Sequence, residues 1–208
     1  MSQFENNASG ASTTKASGNL PAAFLCPVYC QFCTRSYAVG QDTLTLQKDR
    51  VAGAQNWESS LEDISAHPQV EDVVLSGGDV ARLKAAIVTR LRNALLDIPH
   101  VRRVRLATKS LCVEPIKVLS DEPWFNAIVD LVKRGRPLFK DVCIHTHFNH
   151  PREITPMVEA AMRRFYSEGI YIRDHPLGGS TAVGRLGRHE GSIRAPFSKH
   201  GRTACDDG

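Results

Sequence analysis

The chain has 208 residues and a mass of 22.9 kDa, with 42% hydrophobic and 23% charged side chains. That is enough apolar material for one soluble domain with a real core. The formal net charge of +4, from 26 basic against 22 acidic residues, is too small an excess to argue for nucleic acid or an anionic membrane as a partner. No apolar run reaches the ~20 residues of a membrane span, and Met1 to Asn19 holds neither the apolar core of a secretory signal nor the arginines of a transit peptide.

Taken in chain order, residues 1–18 are Ser, Ala, Asn, Gly and Thr with almost no bulky apolar side chain. Burial cannot offset the ordering entropy of such a segment, so it is expected to be disordered. Residues 19–173 carry the periodic apolar pattern of a folded domain. After the cysteine-rich stretch Cys26 to Cys33, the run Val70-Glu71-Asp72-Val73-Val74-Leu75-Ser76 reads as a buried strand ended by Gly77-Gly78. Leu83, Ile87, Leu91 and Leu95 place a helix over Ala81 to Ile98, and Val101 to Thr108 alternates as a strand. A helix over Pro123 to Lys133, a strand over Asp141 to His147, a helix over Thr155 to Glu168 and a strand over Gly169 to Arg173 complete the pattern. Strands separated by helices imply an α/β fold with parallel pairing. Periodicity leaves a doubly wound sheet and part of a (β/α) barrel equally open. Residues 174–208 lose all period and hold seven of the 15 glycines, so they are expected to be an unpacked tail.

Chemistry concentrates in Cys26-Pro27-Val28-Tyr29-Cys30-Gln31-Phe32-Cys33. Three thiols in eight positions, without export signals, point to metal or redox chemistry rather than disulfides. A structural zinc site wants four ligands. The C-x3-C-x2-C spacing suits a [4Fe–4S] cluster with one iron left open for a small ligand. A zinc knuckle completed by a distant His, or three metal-free buried cysteines, are the alternatives. Ser76-Gly77-Gly78-Asp79 lets backbone approach a ligand closely, or simply makes a strand-to-helix turn capped by Asp79. His145, His147 and His150 lack the i, i+4 spacing of a zinc enzyme motif, and His145 is expected to be buried and structural. Cys143 reads as a small core residue, and Trp57 and Trp124 as packing residues. Cys112 and Cys205 receive no role.

With an aromatic, Phe32, before the last cysteine, this motif resembles the radical S-adenosylmethionine superfamily. The string from Cys26 to Gly40 is similar to the lysine 2,3-aminomutase family, its fungal members especially. Val74 to Asp79, Asp97 to Val101, Val104 to Lys109 and His145 to Thr155 agree with that family in order and spacing, over about Leu25 to Arg173. The resemblance implies a partial radical S-adenosylmethionine (β/α) barrel. It implies a [4Fe–4S] cluster on Cys26, Cys30 and Cys33, and S-adenosylmethionine beside Ser76, Gly77, Gly78, Asp79 and His147. Arg35 is expected to grip a substrate carboxylate, against the plainer reading of a surface arginine. Asn149 and His150 are loop-forming residues; Lys109 and Gln31 depart from bacterial members and carry no assignment.

The activity implied is an isomerase reaction, migration of an amino group from C2 to C3 of lysine through a 5′-deoxyadenosyl radical. Pyridoxal phosphate takes part in the family, yet the lysine and glycine-rich segment that hold it have no counterpart here. Past Arg173 the likeness stops, and His175 onward reads like a different translation frame. This chain is therefore expected to be an incomplete and inactive form. Glutamate aminomutation, modification of a lysyl group on a translation factor, and a non-enzymatic iron-binding remnant are the rival readings. The expected partners are an amino-acid substrate and an electron donor, with self-association admitted and neither nucleic acid nor membrane. The expected compartment is the cytoplasm or the mitochondrial matrix.

Overall fold

The computed structural model describes residues 16–23, 25–30, 33, 35–37, 39, 40, 42, 44, 47 and 54–174. The expectations for residues 1–15, Gln31, Phe32, Thr34, and the tail from His175 with Cys205 lie outside them. Strand β1 spans Ala16–Ala23, which corrects one expectation: Ala16 to Gly18 belong to the sheet. Their small side chains hide the strand from a hydropathy pattern. Pairing with β2, Val70–Gly77, supplies the order instead, with Gly18 opposite Val73 and Leu20 opposite Leu75.

Helix α1, Ala54–Ala66, connects these strands and had no counterpart in the sequence reading. Its Trp57 and Ile64 are buried and Leu61 packs against them. The helix expected over Ala81 to Ile98 divides in two. Asp79 caps a short 3-10 turn, Val80–Arg82, by accepting from Ala81 N at 2.8 Å. Leu83 and Lys84 are extended, and α2 runs Ala85–Asp97 with Val88, Leu91 and Leu95 buried. Strand β3, Arg103–Ala107, is followed by two short helices, α3 at Ser110–Val113 and α4 at Pro115–Ser120. Helix α5, Glu122–Gly135, begins where Asp121 accepts from Trp124 N at 3.0 Å, and buries Trp124, Ile128 and Leu131.

Lys140 enters the core to end α2. Its ammonium donates to the Ile98 and Leu95 carbonyls at 2.5 and 3.3 Å, and burial holds its pKa below the ordinary value. Strand β4, Asp141–Thr146, then leads through a 3-10 turn, Pro151–Glu153, to α6 at Pro156–Ser167. Strand β5 is Tyr171–Asp174. Asp174 therefore belongs to the sheet rather than the tail, and its Oδ1 accepts from Phe148 N at 3.0 Å.

All four pairings are parallel and the order is β1-β2-β3-β4-β5. A doubly wound sheet reverses direction at a switch point; this one never does. With right-handed crossovers, sequential order sends every helix to the same face. Val73, Leu75, Val104, Leu106, Val142, Ile144 and Ile172 are buried on that side. The opposite face carries Asp72, Ser76, Arg103, Arg105, Asp141, His145 and Arg173, all half-buried, with Cys143 fully buried among them. The architecture is α/β, a parallel sheet flanked by helices in the sequential order of a barrel arc. Among the described residues no helix is long and apolar enough to cross a membrane.

Candidate functional site

Parallel strands deliver their carboxyl ends to one side, and there the loops enclose a cavity of about 800 Å³. Cys26, Cys30 and Cys33 line it from the loop after β1, Ser76 to Asp79 from the end of β2, Thr108 and Lys109 from β3, and His145 to His147 from β4. The structure thus gathers all three cysteines and the Gly-Gly-Asp turn with His147. Arg35 does not line this cavity; it is half-buried one turn past Cys33, with its carbonyl accepting from Val39 N at 3.0 Å.

The cysteine loop is locked to β2 by the two glycines. Gly78 N donates to the Ala23 carbonyl and Asp79 N to the Leu25 carbonyl at 2.8 Å. Gly77 has a φ of +97°, and a Cβ there would stand 2.2 Å from Ala23 O. A Cβ on Gly78 would stand 2.4 Å from Leu25 O. The close approach these glycines permit is that of the chain itself, one residue before Cys26. Asp79 is only 1% exposed, and its carboxylate accepts from Ala81 N, Thr108 Oγ1, Lys109 N and Ser110 N between 2.6 and 3.1 Å. The carboxylate is taken up by scaffold donors, as in the turn-and-cap reading. What Ser76, Gly77 and Gly78 offer a ligand is backbone and a hydroxyl on the wall.

The three cysteines are free, half-buried thiols. Burial pushes Cys26 up to about 12, with Asp79 and the neighbouring cysteines adding to it, and burial also raises Cys30 against the pull of Lys109. A bound cation is what would let such thiols ionise. Among the described residues no three His, Cys, Asp or Glu groups converge on a single ion. Three thiols lining one cavity match a [4Fe–4S] cluster in donor kind and number. The Thr146 hydroxyl, buried at the cavity lining, has no hydrogen-bond partner among the described residues, a group a ligand could satisfy.

His147 Nε2 faces Asn149 Oδ1 at 2.7 Å. His150 Nδ1 accepts from Arg152 N at 3.1 Å and so builds the turn after β4. His145 differs from the expected buried residue: its place on β4 points it to the open face, half-buried and lining the cavity. Cys112 lies under the wall with its Sγ 3.2 Å from the Lys109 carbonyl, its thiol raised to about 11 by burial. Cys143 is raised to about 11 by burial as well. Trp57 and Trp124 are core residues.

Lys109 is the residue that sequence reasoning left without a role. Its side chain is 12% exposed and ion-paired to Glu153 at 3.1 Å. Burial works against its charge, but Cys112 and Glu153 outweigh that and hold the ammonium above its ordinary pKa. Among the described lysines it is the one on the cavity wall. An imine with pyridoxal phosphate needs a neutral amine, so the described residues do not fit that cofactor.

Sequential parallel strands with a three-cysteine loop at their carboxyl ends are the arrangement that the resemblance to the radical S-adenosylmethionine superfamily implies. No protein-family model matches the chain. It is similar to a provisionally named L-lysine 2,3-aminomutase of Aquifex aeolicus, 34% identical over 154 residues, 71% of this chain and 37% of that protein. It is 29% identical to the L-lysine 2,3-aminomutase of Clostridium subterminale over 159 residues, 76% of this chain and 33% of that protein. It is 30% identical to the glutamate 2,3-aminomutase of Clostridioides difficile over 158 residues, 76% and 32% respectively. These relatives, 26–34% identical over about three quarters of the chain, support a lysine 2,3-aminomutase-like family for it. It spans about a third of the length of the curated relatives it matches.

Proposed function

We propose that this chain is the cluster-binding portion of an aminomutase-like isomerase. Cys26, Cys30 and Cys33 would hold a [4Fe–4S] cluster, and S-adenosylmethionine would lie between it and the Ser76 to Gly78 and His147 walls. When bound, the cluster supplies an electron for reductive cleavage of S-adenosylmethionine to methionine and a hydrogen-abstracting radical. The protein's share is to orient and enclose. Gly77 and Gly78 hold the cysteine loop against β2, Asp79 fixes the β3 loop beside it, and His147 closes the far wall. The observation that carries the reading is the gathering of all three thiols with the Gly-Gly-Asp turn on one cavity.

Amino migration on lysine or glutamate is the reaction of the named relatives, and it is proposed for the whole protein rather than for these 208 residues alone. Lys109 stays charged and paired, and Lys117, Lys133 and Lys140 are engaged with Asp121, Glu168 and the α2 carbonyls. We therefore expect no β-lysine from this chain with dithionite, S-adenosylmethionine, pyridoxal phosphate and L-lysine; its detection overturns that part. Anaerobic reconstitution tests the core of the reading. Iron and sulfide uptake with brown absorbance is expected, lost in Cys30→Ala and kept in Cys143→Ala. S-adenosylmethionine is expected to perturb the paramagnetic resonance signal of the reduced cluster. Stoichiometric zinc without iron uptake retires it.

A further inference from the structure

Lys109 ties the strand-end loops together from inside the cavity wall. Its backbone N–H donates to Asp79 Oδ2 at 2.7 Å, which fixes it to the turn after β2. Its ammonium crosses to the loop after β4, donating to the His147 carbonyl at 2.7 Å and to Glu153 Oε2 at 3.1 Å. Glu153 grips the same loop, accepting from Asn149 N at 2.9 Å and Asn149 Nδ2 at 3.3 Å. Because that amide nitrogen donates to Glu153, Asn149 presents its oxygen to His147 Nε2 at 2.7 Å. An oxygen there calls for a proton on Nε2. An unbroken polar chain thus runs from Asp79 through Lys109, Glu153 and Asn149 to the imidazole.

We propose that Lys109 is a positioning residue for the cofactor pair: through Glu153 and Asn149 it sets the plane and tautomer of His147, and it places one fixed positive charge facing the cysteine loop. This rests on the reading that a cluster and S-adenosylmethionine occupy the cavity. A cluster on three thiolates is anionic and becomes more so on reduction, so a fixed cation at the wall favours the reduced form and raises the potential.

The test uses Lys109→Met, which removes brace and charge, Lys109→Arg, which keeps the charge, and Glu153→Gln, which releases the ammonium. In the cluster-free chain, Lys109→Met and Glu153→Gln are expected to speed Asn149 amide exchange about tenfold and shift the His147 ring nitrogens. In the reconstituted chain, Lys109→Met is expected to lower the midpoint potential and weaken the S-adenosylmethionine-dependent resonance change about tenfold, the worth of one charge-assisted contact. Lys109→Arg is expected to restore both. Unchanged Asn149 exchange and His147 nitrogens overturn the brace. Altered exchange with potential and ligand response unchanged reduces Lys109 to a fold residue and overturns the proposal. If the unaltered chain takes up no cluster, the reading of the site fails by itself and the His147 measurement still decides the brace. Should Lys109→Met not fold, Glu153→Gln carries the same expectations for Asn149 exchange and the His147 nitrogens. Because it removes a negative charge beside the retained ammonium, it is expected to raise the midpoint potential, an unchanged potential overturning the charge role.

Discussion

The two ends of the sheet's open face use the same residue types in opposite ways. At the amino end, Asp72 pairs with Arg105 at 2.9 Å and Arg103 at 3.6 Å, while Asp141 takes Arg103 at 3.1 Å and Arg173 at 3.7 Å. Arg103 and Arg173 are 42% and 43% exposed, so water screens their links and each is worth little, leaving Asp72–Arg105 as the sheltered pair. At the carboxyl end, Asp79 and Lys109 are withdrawn from water and every oxygen of Asp79 has its donors. There one missing partner leaves a charge buried and uncompensated. Charge organises both ends, but only burial makes it specify a geometry.

The largest effect expected on that contrast is at Asp79. Asp79→Ala orphans buried donors on two segments and is expected to cost about 3–5 kcal/mol in urea unfolding. Next come the glycines. Gly77→Ala forces a side chain into the left-handed region against the Ala23 carbonyl, at roughly 2 kcal/mol or more. Gly78→Ala, strained only by the Leu25 carbonyl, is expected to cost about 1–3 kcal/mol, and both are expected to impair iron uptake because the cysteine loop begins there. Asp72→Ala at the other end removes one sheltered and one screened link and is expected to cost about 1–2 kcal/mol, less in high salt. A loss at Asp72 equal to that at Asp79 erases the distinction between the ends.

Acid sharpens the comparison more gently. The Asn149 amide and Lys109 outweigh burial and hold the Glu153 carboxyl below its ordinary value of 4.5. Its stabilising contribution is complete above that value and is lost as pH falls through the lowered one. Protection of the Asn149 amide, its exchange rate relative to the intrinsic rate at each pH, is therefore expected to fall in that window, and in Glu153→Gln to be low already and independent of pH.

Strands β2, β3 and β4 were legible because apolar residues alternate within runs long enough to show the period. Helix α1 carries its signal in Trp57, Leu61 and Ile64 at helical spacing, a short pattern beside the stronger one of the cysteines. Strand β1 was only half legible, since Ala16 to Gly18 have no bulk to reveal a buried face and are ordered by their partner. The choice between barrel arc and doubly wound sheet lies in strand order, which no local pattern encodes. At the site, cysteine spacing announced itself within eight residues. The roles of Asp79 and Lys109 depend on partners 29 to 44 residues away, and sequence spacing is blind to such pairs.

The seating of the cysteine loop on Gly77 and Gly78 has a consequence for the order of events in the cell. The carbonyls of Ala23 and Leu25 find their donors only after β2 has docked beside β1, a contact that closes a loop of some fifty residues. Long-range parallel pairing of this kind is slow to form. Until it forms, the three thiols are tethered by sequence alone, open to oxidation and to stray metal ions. On the proposed reading, delivery of iron and sulfide would have to wait for the sheet, with the two glycines as its timekeeper.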